Sequence, residues 1–156
     1  MGGMLLRASL LIPLAVVTAA ADPLLAPVPG SDCAGTWIGR YAYDQPGYEP
    51  VVVSLVLADR DGAIDGAILE ANTFGPQRWP ALTSTVAGGR SGTIATLAFT
   101  YDGRNGVAHT VDNRLTLSPD GTRLDGTWWI GGDWTGTIAL TRVARPHGQR
   151  IGDPAP

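Results

Sequence analysis

Between Asp59 and Asp133 the chain is broken five times by short clusters of residues that tolerate positive φ. They are Asp59-Arg60-Asp61-Gly62, Gly88-Gly89-Arg90-Ser91, Asp102-Gly103-Arg104-Asn105-Gly106, Ser118-Pro119-Asp120-Gly121 and Gly131-Gly132-Asp133. This spacing narrows the fold more than any other feature. Links so short cannot carry a crossover, so the segments they join must pair antiparallel with their neighbours in sequence. Those segments alternate β-branched or aromatic residues with polar ones, the period of strands rather than helices. Eight strands are expected, at 36–43, 50–58, 63–70, 78–87, 92–101, 107–117, 122–130 and 134–142. A meander of eight long strands closes on itself, because closure removes both exposed edges. The expected fold is all-β: a single antiparallel up-and-down eight-stranded β-barrel over residues 35–142.

The ends read differently. Residues 1–21 carry one charge, Arg7, then an apolar run from Leu10 to Val17, then Ala19-Ala20-Ala21 ahead of Asp22. The run is too short to span a bilayer, so the segment is read as a removed signal peptide and not as a membrane anchor. A secreted or periplasmic location follows as the expectation. Residues 22–34 hold three prolines and no periodicity and read as a flexible spacer; residues 143–156 read as a disordered tail. The remainder suits one domain.

The chain has 11 basic residues, all arginine, and 14 acidic ones, for a net charge of −3. A mildly acidic chain without a basic cluster argues against nucleic acid or an anionic membrane surface as a partner. The single cysteine, Cys33, permits no internal disulfide, so the core alone must supply stability. Cys33 is read as an incidental thiol in the spacer, with intermolecular pairing as the second reading.

Side chains alternate across a strand, so each strand divides into two faces. The expected interior faces are Trp37, Gly39, Tyr41 and Tyr43 in the first strand, Val51 to Leu57 at odd positions in the second, and Thr93 to Tyr101 at odd positions in the fifth. In the seventh they are Leu124, Gly126, Trp128 and Ile130, and in the eighth Trp134, Gly136, Ile138, Leu140 and Arg142. The sixth strand places two polar residues, His109 and Asn113, among Val107, Val111, Leu115 and Leu117. Buried polar groups need partners; these two either satisfy one another's surroundings or greet a ligand. Trp79 is expected at the barrel mouth. Trp129 falls on the face opposite Trp128 and is a candidate oligomer contact, since tryptophan is enriched in interface cores. The aspartates of Asp61-Gly62-Ala63-Ile64-Asp65-Gly66 and its echo at Asp120–Gly126 lack the oxygen density of a calcium loop. They read as one device used twice: an Asp-Gly hairpin, then a strand glycine that permits a bend or close packing.

Gly35-Thr36-Trp37, opening the first strand, resembles the Gly-x-Trp with which lipocalins begin, and avidin-like chains open with Gly-Thr-Trp. The chain is similar in this respect to the avidin–lipocalin (calycin) group of eight-stranded barrels. Arg142 stands where that group has an arginine packing across the tryptophan to close the barrel floor, so the resemblance implies that Trp37 and Arg142 form a structural plug. It departs in the loop Asp44-Gln45-Pro46-Gly47-Tyr48-Glu49, which does not match the Asn/Ser constellation that holds biotin in avidins.

The function expected from all this is that of an exported, non-enzymatic binding protein whose lumen takes a small, mostly apolar molecule. Tyr41, Tyr43, Trp79, His109, Asn113 and Trp128 are the candidate ligand contacts. Eight strands leave room for side chains or one small ligand, and aromatic walls with a few polar groups suit such a pocket. The alternatives are a protein-binding module of the hydrolase-inhibitor kind, with residues 22–34 as its arm, and a structural barrel with a packed interior. No nucleophile elbow or metal-ligand spacing is present, and no metal or cofactor is expected. An enzymatic reading would rest on His109 as an acid or base.

Overall fold

The computed structural model describes residues 32–73 and 79–143. The signal-peptide reading of 1–21, most of the spacer and the tail beyond Val143 lie outside the described residues. The strands are β1 (Gly35–Tyr43), β2 (Val51–Arg60), β3 (Ala63–Ala71), β4 (Ala81–Ser91), β5 (Ile94–Asp102), β6 (Ala108–Leu117), β7 (Arg123–Ile130) and β8 (Trp134–Arg142). Each pairs antiparallel with the next, and β8 returns to β1 through Trp37↔Arg142 to Tyr43↔Gly136, closing the barrel. The fold is therefore the single all-β, up-and-down, eight-stranded barrel that the turn spacing implies.

Local chemistry explains the closure. Asp61 and Gly62 carry φ of 54° and 89° between the paired residues Arg60 and Ala63. Two central residues at positive φ are the two-residue hairpin whose twist suits a sheet. Further along the same hairpin, a Cβ on Gly66 would lie 2.2 Å from the Val56 carbonyl oxygen, and one on Gly126 would lie 2.0 Å from that of Arg114. Only glycine permits so close an approach, which lets the sheet curl sharply at these points.

The largest boundary difference from expectation is at the end of β4. The cluster Gly88-Gly89-Arg90-Ser91 is strand, not turn; β4 runs to Ser91 and the chain reverses at Gly92-Thr93, with Gly92 at φ 60°. Gly88 is a packing glycine, since its Cβ would meet the Thr96 carbonyl at 2.1 Å. Arg90 is held in the strand by its own bonds. Its N–H donates to the Gly62 carbonyl at 2.7 Å and its Nε to Asp59 Oδ2 at 2.6 Å.

The β2–β3, β4–β5 and β6–β7 connections gather at one end, the floor. Trp37 lies there, fully buried, its ring N–H donating to the Cys33 carbonyl at 2.9 Å. The Arg142 guanidinium sits 4.3 Å above the ring. It also donates through Nε to Gly121 O at 2.7 Å, through Nη2 to Asp32 O at 2.5 Å and through Nη1 to Ala34 O. Residues 32–34 are thus part of the barrel floor rather than of a spacer.

Asp59 ties the same segment to the hairpins, accepting from Cys33 N and Gly62 N, each at 2.9 Å, and from Arg90. Burial alone would raise its carboxyl, but Arg90 and the two backbone donors outweigh burial and hold it below the usual carboxylate range.

Cys33 is not an accessible thiol. It has no exposed surface, and burial, helped by the Asp59 charge, pushes its pKa up to about 11. The thiolate is the reactive form, so a chromogenic disulfide reagent will label Cys33 only after the barrel unfolds. Rapid labelling in native buffer would show that the floor opens locally.

Candidate ligand-binding cavity

Above the floor the interior is first filled and then hollow. Leu55, Leu97, Leu115, Leu124 and Leu140, all essentially without exposure, pack over Trp37. Nearer the other end the side chains spread apart around a cavity of about 430 Å³, within the range of roughly 300–1,000 Å³ usual for small-molecule pockets. The connections β1–β2, β3–β4, β5–β6 and β7–β8 surround its mouth. The β1–β2 loop is tied to the β7–β8 turn and the start of β8: Gln45 Nε2 donates to Asp133 O at 2.6 Å and Thr135 Oγ1 to Asp44 Oδ2 at 2.7 Å.

The upper wall is an aromatic collar. Tyr43 meets Trp128 at 5.1 Å between ring centroids and 84° between planes, and Tyr41 meets Trp128 at 5.8 Å and 75°. Trp134 extends the collar by edge contacts to Tyr43 at 6.0 Å and to Tyr48 at 5.2 Å. Edge-to-face pairs at such spacings add about 0.5–1.5 kcal/mol each beyond area burial. The rings are fixed by hydrogen bonds as well: Trp128 Nε1 donates to the Ala42 carbonyl at 3.0 Å, and the Tyr43 hydroxyl to that of Tyr41 at 3.3 Å.

Five of the six residues expected to face a ligand line this cavity: Tyr41, Tyr43, His109, Asn113 and Trp128. Trp79 does not. It stands on the mouth-side β3–β4 connection, 40 % exposed, and its carbonyl accepts from Asn72 Nδ2 at 2.7 Å. His109 and Asn113 play separate parts. His109 is exposed at the rim, with its ring 4.9 Å from that of Tyr101; partial burial there lowers its pKa. It faces inward by alternation, but β6 has already reached the mouth at that point.

Asn113 is 1 % exposed. Its Nδ2 donates to Val111 O at 3.0 Å and to Leu97 O at 3.4 Å, while among the described residues its Oδ1 accepts nothing.

The residue that sequence reasoning missed is Glu70. It ends the inward face of β3 and is 5 % exposed, within the cavity wall. Burial raises its carboxyl to about 7; the hydroxyls of Tyr101 and Tyr41, bonding toward it, oppose that rise. Burial beside this carboxylate pushes both Tyr41 and Tyr101 well above the ordinary tyrosine value, and Tyr43 to about 12. Among the described residues Glu70 Oε2 has no hydrogen-bond partner. No three His, Cys, Asp or Glu residues stand together as metal ligands among the described residues.

What this arrangement can do chemically is enclose a small molecule. The wall is apolar and aromatic over most of its area, and two buried acceptor atoms remain unused. The sequence matches no protein-family model and no curated protein, so the closed barrel and this cavity carry the functional reading on their own geometry.

Proposed function

We propose that the protein is an exported, non-enzymatic carrier that holds a small, mostly apolar molecule in the upper half of its barrel. The observation that carries this reading is the half-hollow interior: a sealed leucine and tryptophan floor beneath a cavity of about 430 Å³ walled by interlocked aromatic rings. A barrel built only as a scaffold gains stability by filling its interior to native density. This chain fills one half that way and leaves the other open. The opening Gly35-Thr36-Trp37, with Arg142 stacked on Trp37, supports kinship with the calycin group of eight-stranded barrels. Export rests on the signal-like character of residues 1–21.

A protein-binding role is the second reading, favoured by one feature of the outer wall. Ile38, Val52, Val56 and Leu69, on the adjacent strands β1, β2 and β3, are each about half exposed. The apolar outer surface therefore lies on β1–β3, while Trp129 is only partly exposed.

Native mass spectrometry of the protein recovered from an exporting host tests the carrier reading. The expected result is a discrete mass beyond the chain, lost on denaturation and retained when residues 22–31 are removed. A bare chain that also takes up no apolar compound on incubation would overturn it in favour of a protein partner.

A further inference from the structure

We propose that the molecule carried in this cavity bears a protonated amine, held by Glu70 within the aromatic collar. The inference rests on the carrier reading above and adds the chemical class of the ligand.

Three features converge on a cation. The first is the balance of polar groups. Glu70 Oε2 and Asn113 Oδ1 are both acceptors, both belong to side chains at least nine-tenths buried, and both lack a donor among the described residues. The Asn113 orientation is fixed by chemistry, since reversing the amide would point its oxygen at the Val111 and Leu97 carbonyls. With Glu70 ionised, a complementary ligand must therefore donate. Protonated amines carry up to three donors and no acceptor.

The second is charge. Among the described residues Glu70 is the sole carboxylate lining the cavity, and no arginine lines it alongside. A buried carboxylate is stable when paired with a cation. Asp59, the other buried carboxylate described, has Arg90; for Glu70 the ligand supplies the charge.

The third is the wall itself. Tyr41, Tyr43, Tyr101, Trp128 and Trp134 line the same cavity. Aromatic faces attract cations through the ring quadrupole, most strongly where water is excluded. An anion would be repelled by Glu70 and by the negative faces of the rings. The cavity volume leaves space for an aryl or alkyl body behind the amine.

Burial keeps the Glu70 carboxyl near neutrality, so pairing must draw its proton off. The groups around it are Tyr41 and Tyr43 from β1 and Tyr101 from β5, with Ser84 of β4 and His109 of β6 against Tyr101. The tyrosines stay neutral through pH 8, and His109 loses its charge below its ordinary value. Amine binding should therefore strengthen as pH rises from 6 to 8, following ionisation of Glu70.

Calorimetric titration of the intact chain with 2-phenylethylamine and tryptamine, set against their neutral isosteres 2-phenylethanol and tryptophol, tests this. At pH 8 the amines should bind at least tenfold more tightly than the alcohols. Their affinity should fall about tenfold by pH 6 while that of the alcohols stays constant, as one ionisation near pH 7 requires. Glu70→Gln should abolish the preference for amines and keep alcohol binding. The wild-type pH series decides the same question should that variant fold poorly. Equal binding of amine and alcohol, or a preference that survives Glu70→Gln, overturns the amine inference alone. Binding of neither class overturns the carrier reading with it.

Discussion

Trp37→Ala will lower the free energy of unfolding by about 3–5 kcal/mol, the cost typical of deleting a fully buried large aromatic side chain. The site cannot collapse to soften that loss. Trp37 is flanked in the ladder by Leu55 and Arg142, covered by the Arg142 guanidinium at 4.3 Å, and roofed by the leucine layer. Its ring N–H also holds the Cys33 carbonyl, so truncation frees the segment 32–34 that closes the floor. Small domains are stable by roughly 5–15 kcal/mol in all, so the variant will be marginal, with a midpoint lower by on the order of 15 °C. Trp37→Phe separates the two contributions. It keeps most of the packing and loses the hydrogen bond, which alone is worth about 1 kcal/mol. Thermal and denaturant unfolding measure both. An alanine variant with wild-type stability would show that the floor is sealed by the arginine and its carbonyl acceptors and not by the ring.

Strand number, strand order and antiparallel pairing are all legible in the sequence, because each follows from local chemistry, while the Trp37–Arg142 plug comes from the family resemblance. Turn residues mark the reversals, alternation assigns the faces, and closure follows from eight strands in a meander. The errors arise where one local signal serves two ends. Gly88-Gly89 carries the composition of a turn, yet in the barrel Gly88 is needed because the Thr96 carbonyl approaches it, and the turn moves to Gly92-Thr93.

Glu70 was hidden for another reason. In β3, Ile64 and Ile68 face one way and Ala67, Leu69 and Ala71 the other, so hydrophobicity does not say which face is interior. A carboxylate closing such a run reads as solvated. The missing signal was register. A two-residue Asp61-Gly62 hairpin pairs Val53 with Glu70, and directly paired residues share a face. With Val53 inside, Glu70 must be inside too. His109 is the converse case: parity points it inward, but parity does not say how far along the barrel the rim lies.

The buried position of Glu70 also predicts how stability will vary with pH. Its carboxyl is raised from an ordinary 4.5 to about 7, with burial as the main cause. Between those two values the folded chain keeps a proton that the unfolded chain has released. The unfolded state then binds fewer protons, so the slope of stability against pH is negative. The contribution is fully favourable below about pH 4.5 and falls as pH rises through 7. It levels off near pH 8 at a cost of about 3 kcal/mol, since a tenfold change in proton activity is worth about 1.4 kcal/mol. The tyrosine hydroxyls around the carboxyl limit the effect by favouring its charged form, and their influence is already included in a value near 7. Glu70→Gln removes the titrating group while keeping size and shape. Subtracting the variant's stability curve from that of the wild type isolates this one group from every other carboxylate. The two proteins should differ least near pH 5 and most at pH 8, where the variant is the more stable. A pH-independent difference would mean that Glu70 is ionised throughout and already compensated inside the barrel. At pH 8 an amine should raise the stability of the wild type more than that of the variant, because only the wild type offers a buried carboxylate for the amine to pair with.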